Sequence, residues 1–306
     1  MKKIFGQTGF SFNSANTLRC FFSLLLLLPT AVSHGATLKA EYRFNNSLTS
    51  GIAGAPDLVS IDPLSANHFN SDAVNGQTQP VFTWSGIALP TNAEAGLMLN
   101  TTGLINGTNY SVQMIFMFTD HANGWRRIID VSNRQLDSGF YVDSGNHVRV
   151  YPTNPGLITP FTNNVYEDVI LTVGNGMEAA YLNGILQFSN STAIMEITST
   201  VNPMIFFVDN AGSGMGDFSN GSIALLRLYD GVIVPGIPAL TIRSTVTNSV
   251  VLSWPSPSTG YVLQQNTNLA ATNWNVSALM PSDNGTIKSV IVVPPTGNKF
   301  FRLYHP

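Results

Sequence analysis

The chain has 306 residues, 44% of them hydrophobic and only 10% charged, with a formal net charge of −3. Fourteen basic against 17 acidic side chains exclude an electrostatic nucleic-acid surface, which needs clustered Lys and Arg. The lone cysteine, Cys20, excludes a disulfide framework and thiolate zinc sites, and the length predicts one large domain or two modest ones.

The first 36 residues carry Lys2, Lys3 and Arg19, an apolar run from Cys20 to Leu28, and small residues at Ala31, Ser33 and Ala36. This layout predicts an export signal cleaved between Ser33 and Ala36. Pro29 and His34 cut the run short of the roughly 18 to 20 apolar residues that a membrane span needs. Cleavage makes the protein secreted or surface-exposed, takes Cys20 away and leaves the remainder more acidic. No later segment is apolar enough to cross a membrane.

Strand signals follow from end to end. In "LKAEYRFN", Leu38, Ala40, Tyr42 and Phe44 alternate with Lys39, Glu41, Arg43 and Asn45, the period of two of a strand with one dry and one wet face. "YSVQMIFMF" (110–118) is apolar on both faces, which predicts a central strand covered by a second layer. Further strands are predicted at "RRIIDV", "SGFYVD", "HVRVYP", "DVILTV", "NPMIFFVD" and "SIALLRLYD". In "AAYLNGILQF", Asn183-Gly184 supplies the positive φ angles of a two-residue hairpin turn. No segment shows helical spacing, so two packed antiparallel sheets are the economical solution. Prolines and a glycine at 233–238 read as a linker. Beyond it, "LTIRS", "SVVLSWP", "GYVLQQN", "SVIVVP" and "FFRLY" predict a small β-sandwich over 239–306.

The order "AEYRFNNSLTS", "YSVQMIFMFTDHANGWRRIIDVSN", "DSGFYV", "EDVILTVGNGMEAAYLNG", "FFVDN" and "NGSIALLRLYDG" resembles, over residues 37–232, bacterial secreted domains of the laminin G-like, concanavalin A-like jelly-roll superfamily. The stretch from "VVLSWPSPSTGYVLQQNTNLAATNWNV" to "KFFRLY" is similar to small fibronectin type III-like or immunoglobulin-like modules, which implies that Trp254 is their core tryptophan and that Trp274 closes the same core. The resemblance implies an all-β protein: a concanavalin A-like jelly-roll sandwich followed by a small C-terminal β-sandwich. It also implies that a cation, where present, sits on loops at the sandwich rim. Neither family has one biochemical function.

Some jelly-roll relatives are glycoside hydrolases, which need two carboxyl groups flanking one bond and present them as Glu-x-Asp-x-x-Glu on a strand. Glu94, Glu167, Glu178 and Glu196 have no acidic residue at i+2, and the adjacent Glu167 and Asp168 point to opposite faces of a strand. His68, His121, His147 and His305 accompany no Gly-x-Ser-x-Gly turn and read as exposed loop or strand-end residues. The protein is therefore expected not to be an enzyme.

Two loops remain as candidate sites. "FFVDNAGSGMGDFSNGS" (206–222) offers Asp209, Asn210, Asp217 and Asn220 among glycines. These are oxygen donors for calcium, which wants 6 to 8 of them, or else they belong to a polar turn whose aspartates cap backbone amides. "GWRRIIDVSNRQLDSGFYVDSG" (124–145) admits two readings as well. In the structural one, one of Arg126 and Arg127 points outward and the other pairs with Asp130 or Asp137 to fix a hairpin. In the functional one, Trp125 stacks on a sugar ring while Asn133, Arg134 or Asp137 bonds its hydroxyls, with Tyr141 and Trp84 as further aromatics. The sequons at Asn100, Asn106, Asn109 and Asn284 mark surface loops. Together these features point to an exported, non-catalytic binding or adhesion protein for polysaccharide or another cell-surface ligand. A structural envelope component is the alternative. A divergent glycan hydrolase or lyase would require paired carboxylates from distant strands facing one cleft.

Overall fold

A computed structural model describes residues 36–87, 93–120, 124–153, 159–198, 203–211, 216–235, 238–245, 249–256, 258, 261–284, 287–293 and 297–304. The export signal predicted for 1–36 lies outside them except for Ala36, as do His121 and His305. Every regular element among the described residues is a strand. The chain divides into two compact units, one spanning 33–234 and the other containing 235–306.

The first unit contains β1 (Thr37–Tyr42), β2 (Val59–Ile61), β3 (His68–Val74), β4 (Gln77–Ser85), β5 (Gly96–Leu99), β6 (Tyr110–Phe118) and β7 (Arg126–Asp130). It continues with β8 (Gly139–Val142), β9 (Val148–Tyr151), β10 (Glu167–Gly174), β11 (Met177–Leu182), β12 (Ile185–Asn190), β13 (Met204–Phe206) and β14 (Asn220–Asp230). They form two antiparallel sheets, one of eight strands in the order β12-β11-β10-β6-β14-β4-β3 with β1 also on β14, the other of six in the order β2-β5-β13-β7-β8-β9. The β14 strand is long enough to share one edge, pairing Asn220–Ile223 with β4 and Leu226–Asp230 with β1. This is the jelly-roll sandwich expected from the sequence.

The apolar pattern of β6 explains its central place. Tyr110, Val112, Met114, Phe116 and Phe118 face the core between the sheets, fully buried, while β10 and β14 hold its edges. Asn183-Gly184 turns the β11–β12 hairpin as predicted, with φ of 51° and 80°. Asn75-Gly76 and Asn175-Gly176 do the same for β3–β4 and β10–β11. The first predicted strand stops at Tyr42. Phe44 reaches the core from a left-handed backbone instead, φ 55°. Strands β2 to β5 form where the sequence shows no clean alternation, because β3 is a largely exposed hairpin arm and β2 is only three residues long. Trp84 is a core residue and not a sugar platform: it is fully buried, stacks on Phe207 at 3.9 Å and donates its indole N–H to the Ser219 carbonyl at 3.1 Å.

The second unit has β15 (Thr241–Ser244), β16 (Val250–Pro255), β17 (Val262–Asn266), β18 (Asn275–Val276), β19 (Ser282–Asp283), β20 (Ile287–Val292) and β21 (Phe300–Tyr304). One sheet runs β15-β16-β20-β19 and the other β18-β17-β21. Leu252, Trp254, Leu263, Val290, Val292 and Phe301 fill the space between them, and the Trp254 indole donates to Ser258 at 3.1 Å. Trp274 does not close this core. It sits half-buried in the turn before β18, donates to the Ala271 carbonyl at 3.0 Å and is covered by the Arg302 guanidinium at 4.5 Å.

Candidate functional site

The site is organised by Arg127 on β7. Its register neighbours across the sheet are Tyr141 on β8 and then Arg149 on β9, so an arginine, an aromatic ring and a second arginine lie in one row on the outer face. A β-bulge between Arg127 and Ile129 inserts one residue. Asp130, which strict alternation would send to the opposite face, therefore emerges beside Arg127. The two form a fully buried ion pair. Arg127 also donates to the Tyr141 hydroxyl at 2.6 Å and to the carbonyls of Asp137 and Leu136 at 2.8 and 3.1 Å, and stands 3.4 Å from Asp209. Gly139 makes room for it, since a Cβ there would come within 3.2 Å of the guanidinium.

Of the two pairings predicted for this arginine, Asp130 is the one formed, and Asp137 contributes its backbone carbonyl. Arg126 does not point outward as predicted. It is fully buried at the sandwich rim, over the Phe118 ring at 5.0 Å, and bonded to Asn163 and Asn146. Burial pushes its guanidinium down to about 10 against the pull of Asp120 and Asp143.

Asp130 also shapes the following turn by accepting from the Ser132 and Arg134 amides at 3.0 and 2.8 Å. Asn133 and Arg134 there take left-handed backbones, φ 54° and 62°. Neither is among the residues lining the cavity described below. Asn133 is exposed at the turn. Arg134 turns inward, bonding the Asp209 carbonyl at 2.6 Å and the Glu94 carboxylate at 2.9 Å, and so tethers the 131–137 turn to the loop after β13.

That loop leaves β13 at Phe207, whose backbone is left-handed, φ 68°, and whose amide donates to the Ile128 carbonyl at 3.1 Å. The consequence is that the two separate candidate loops form one site. One carboxylate oxygen from each of Asp137, Asp209 and Asp217 lies within 4.8 Å of the others. The Asn210 amide donates to Asp137 at 3.0 Å and Asp209 at 3.2 Å, and the Asp217 amide donates to Asp209 at 3.2 Å. Asn220 is elsewhere: its amide donates to Asp120 at 2.6 Å and its oxygen accepts from the Gly86 amide at 2.6 Å. It opens β14 and leaves the predicted calcium set. The remaining carboxylates fit calcium poorly, because Asp209 spends both oxygens on protein donors and a guanidinium stands 3.4 Å from it where 6 to 8 oxygens are wanted.

Beside the trio lies a cavity of about 360 Å³ lined by Trp125, Asp137, Tyr141, Tyr151 and Asp217. Its three rings stand nearly at right angles. Trp125 is 5.5 Å from Tyr141 and 5.7 Å from Tyr151, at 83° and 88°, and the two tyrosines are 6.5 Å apart at 81°. The Arg149 guanidinium packs on Trp125 at 5.1 Å and pairs with Asp143 at 3.6 Å. Tyr151 and Arg149 are the residues that sequence reading missed. Their signal was present in "HVRVYP", where Val148 and Val150 face the core and period two sends Arg149 and Tyr151 to the other side.

Burial pushes Asp217 up to about 6, helped by the charges of Asp209 and Asp137 and opposed by Arg127. Burial likewise pushes Glu94 up to about 7, against Arg134 and with Asp209. Glu94 is 3% exposed, and one of its oxygens has no hydrogen-bond partner. Both acids hold a proton more tightly folded than unfolded, so their contribution to stability is full below the ordinary carboxylate range and is lost as pH rises through about 6 to 7. Melting temperature is expected to fall by about 4 to 8 °C between about pH 5 and pH 8, for about 2 kcal/mol lost. Glu94→Gln should flatten the profile. A profile that rises over this interval would refute the assignment.

Two of the glutamates considered for catalysis hold neighbouring donors. Glu178 is 1% exposed and accepts from Asn190, Ile194 and Met195 at 2.9, 2.8 and 3.0 Å. Glu167 accepts from the Thr162 amide at 3.2 Å and from Asn183.

No known family and no curated protein matches the sequence. Among solved structures the chain is similar to domain 4 of a GH43 extracellular arabinanase from Geobacillus stearothermophilus, solved with arabinotriose, at 17% identity and TM-score 0.48, over 65% of this chain and 95% of that one. It is also similar to the botulinum neurotoxin serotype D binding domain, at 13% identity and TM-score 0.42, over 85% and 80%. A Trypanosoma rangeli sialidase in complex with sialic acid gives 10% identity and TM-score 0.38, over 54% of this chain and only 27% of the sialidase. Likenesses this distant concern the course of the backbone and carry nothing about ligands.

Proposed function

We propose that the protein is an exported, non-catalytic binding protein whose laminin G-like jelly-roll unit holds carbohydrate in the cavity of Trp125, Asp137, Tyr141, Tyr151 and Asp217. The observation that carries this reading is the convergence of three aromatic rings and two carboxylates from separate segments on one concavity. Its volume of about 360 Å³ falls within the roughly 300 to 1,000 Å³ of small-molecule sites. A pyranose presents C–H groups on its face and O–H donors on its rim. Aromatic walls accept the first and carboxylates the second.

A second reading rests on the same pair of acids. Asp137 and Asp217 come from distant segments, their oxygens approach within 4.8 Å, and Asp217 is pushed up to about 6. This approaches the roughly 5 to 5.5 Å pair of a retaining glycosidase, with Asp217 as the acid.

One experiment separates these readings. The mature protein is incubated with diverse polysaccharides, with calcium and again with chelator, and both retention and new reducing ends are measured. Binding without cleavage is expected, with Trp125→Ala weakening it about tenfold or more, about 1.4 kcal/mol or more, for the lost aromatic anchor, and shifting the melt little. No retention by any glycan, or an unaffected Trp125→Ala, would sink the binding reading. New reducing ends abolished in Asp217→Asn would establish the hydrolase. Binding lost on chelation and in Asp209→Ala would place a cation in the trio. Tight association with isolated envelopes that competing sugars do not reverse would favour the structural alternative.

A further inference from the structure

Resting on the carbohydrate reading, we infer that the cavity selects a glycan carrying a free amino group, a glucosamine-type unit whose ammonium lies between Asp137 and Asp217 with its ring against Trp125. Among the described residues, the charged groups lining the cavity are two carboxylates, with no basic side chain beside them. The neighbouring arginines are directed elsewhere: Arg127 pairs with Asp130 and Asp209, Arg149 with Asp143, and Arg134 with Glu94. No described side chain is seen donating a hydrogen bond to the Asp217 carboxylate, and Asp137 accepts from neutral groups, the Asn210 amide at 3.0 Å and the Tyr141 hydroxyl at 3.5 Å. A ligand that brings a positive charge and N–H donors supplies what such a carboxylate lacks.

The walls discriminate among cations. Trp125, Tyr141 and Tyr151 present carbon faces, which give a hard metal ion no oxygens but attract an organic cation through the ring quadrupole. The same rings already stack with cations on other sides, Arg127 lying 4.7 Å from Tyr141, and Arg149 5.1 and 5.9 Å from Trp125 and Tyr151. Acetylating the amine would remove the charge and add bulk at the carboxylates. A neutral sugar would bring the two acids no positive charge of its own. An acidic sugar would be repelled.

The test is calorimetric titration of the mature protein at a pH just above the about 6 to which Asp217 is raised, where the carboxylate is ionised and much of the amine still protonated, with three oligomers of equal length: glucosamine, N-acetylglucosamine and glucose. The glucosamine oligomer is expected to bind at least about tenfold more tightly than the others, a difference of about 1.4 kcal/mol. Its affinity should fall several-fold between about 0.05 and 0.5 M salt, as screening requires, and about fivefold or more in Asp217→Asn. The salt series stands even if that variant fails to fold. Equal or tighter binding of the acetylated or neutral oligomer overturns the inference and leaves the carbohydrate reading intact, whereas no binding of any oligomer or polysaccharide removes both. A lysine-rich peptide binding as tightly as the glucosamine oligomer would show that the ammonium alone is recognised, which overturns the sugar assignment.

Discussion

Arg127→Met is expected to destabilise the first unit by about 3 to 5 kcal/mol, the cost of leaving one half of a buried ion pair behind, and to lower its melting temperature by about 6 to 20 °C. The Arg127 and Asp130 side chains are both 0% exposed, and Asp209 is 2% exposed. Removing the guanidinium strands two buried carboxylates together with the Tyr141 hydroxyl and the carbonyls of Leu136 and Asp137. Methionine fills the volume of the stem and satisfies none of these groups. Arg127→Met combined with Asp130→Asn should recover part of the loss, because one of the stranded charges is gone. The measurement is thermal or urea unfolding of the three proteins. A melt within about 2 °C of wild type for Arg127→Met would show that the network is not a keystone. Ligand affinity should fall with stability, since Tyr141 is held by Arg127 and forms one wall of the cavity.

Trp84→Ala is expected to cost about 3 to 5 kcal/mol through the cavity it leaves. Trp84 is fully buried, stacks on Phe207 at 3.9 Å and 8°, and meets Phe118 edge-on at 6.2 Å. The loss extends beyond packing. Phe207 holds a left-handed backbone, φ 68°, a conformation that costs a bulky residue about 1 to 3 kcal/mol and persists only where its surroundings impose it. The stack on Trp84 is part of what imposes it. Without the stack, the loop carrying Asp209 and Asp217 loses its fixed point of departure. Trp84→Ala should therefore weaken ligand binding without touching the ligand, while Trp84→Phe retains part of both properties. Unfolding and titration on the same samples decide this. A Trp84→Ala protein with lowered stability but unchanged affinity would show that the loop is held by Arg134 and the Phe207 amide alone.

The sequence by itself determined the fold class. Period-two alternation identified β1, a run apolar on both faces identified β6, and Asn183-Gly184 identified a hairpin, because these signals are local: a strand's faces and a turn's φ angles are properties of neighbouring residues. Most strands from β7 onward were legible too, but not the two-residue β18 and β19. Trp254 as a core residue was legible through the resemblance to small fibronectin type III-like modules. Trp274 was not, since only the approach of Arg302 from β21 shows where its ring goes. The candidate site was legible in pieces. Trp125, Asp137 and Tyr141 belong to one segment, Asp209 and Asp217 to another, and each segment was singled out alone.

Their meeting was decided by tertiary structure. The β13 strand pairs with β7 through Ile205 and Asp130, residues far apart in the chain, and that pairing sets the 208–217 loop against the 131–137 turn. A bulge of one residue in β7 then decides which face Asp130 occupies, and hence that Arg127 is satisfied internally and not by ligand. Long-range strand pairing and bulges depend on packing summed over the whole sandwich. No window of local sequence contains them, so composition and spacing could identify the polar groups but not their partners.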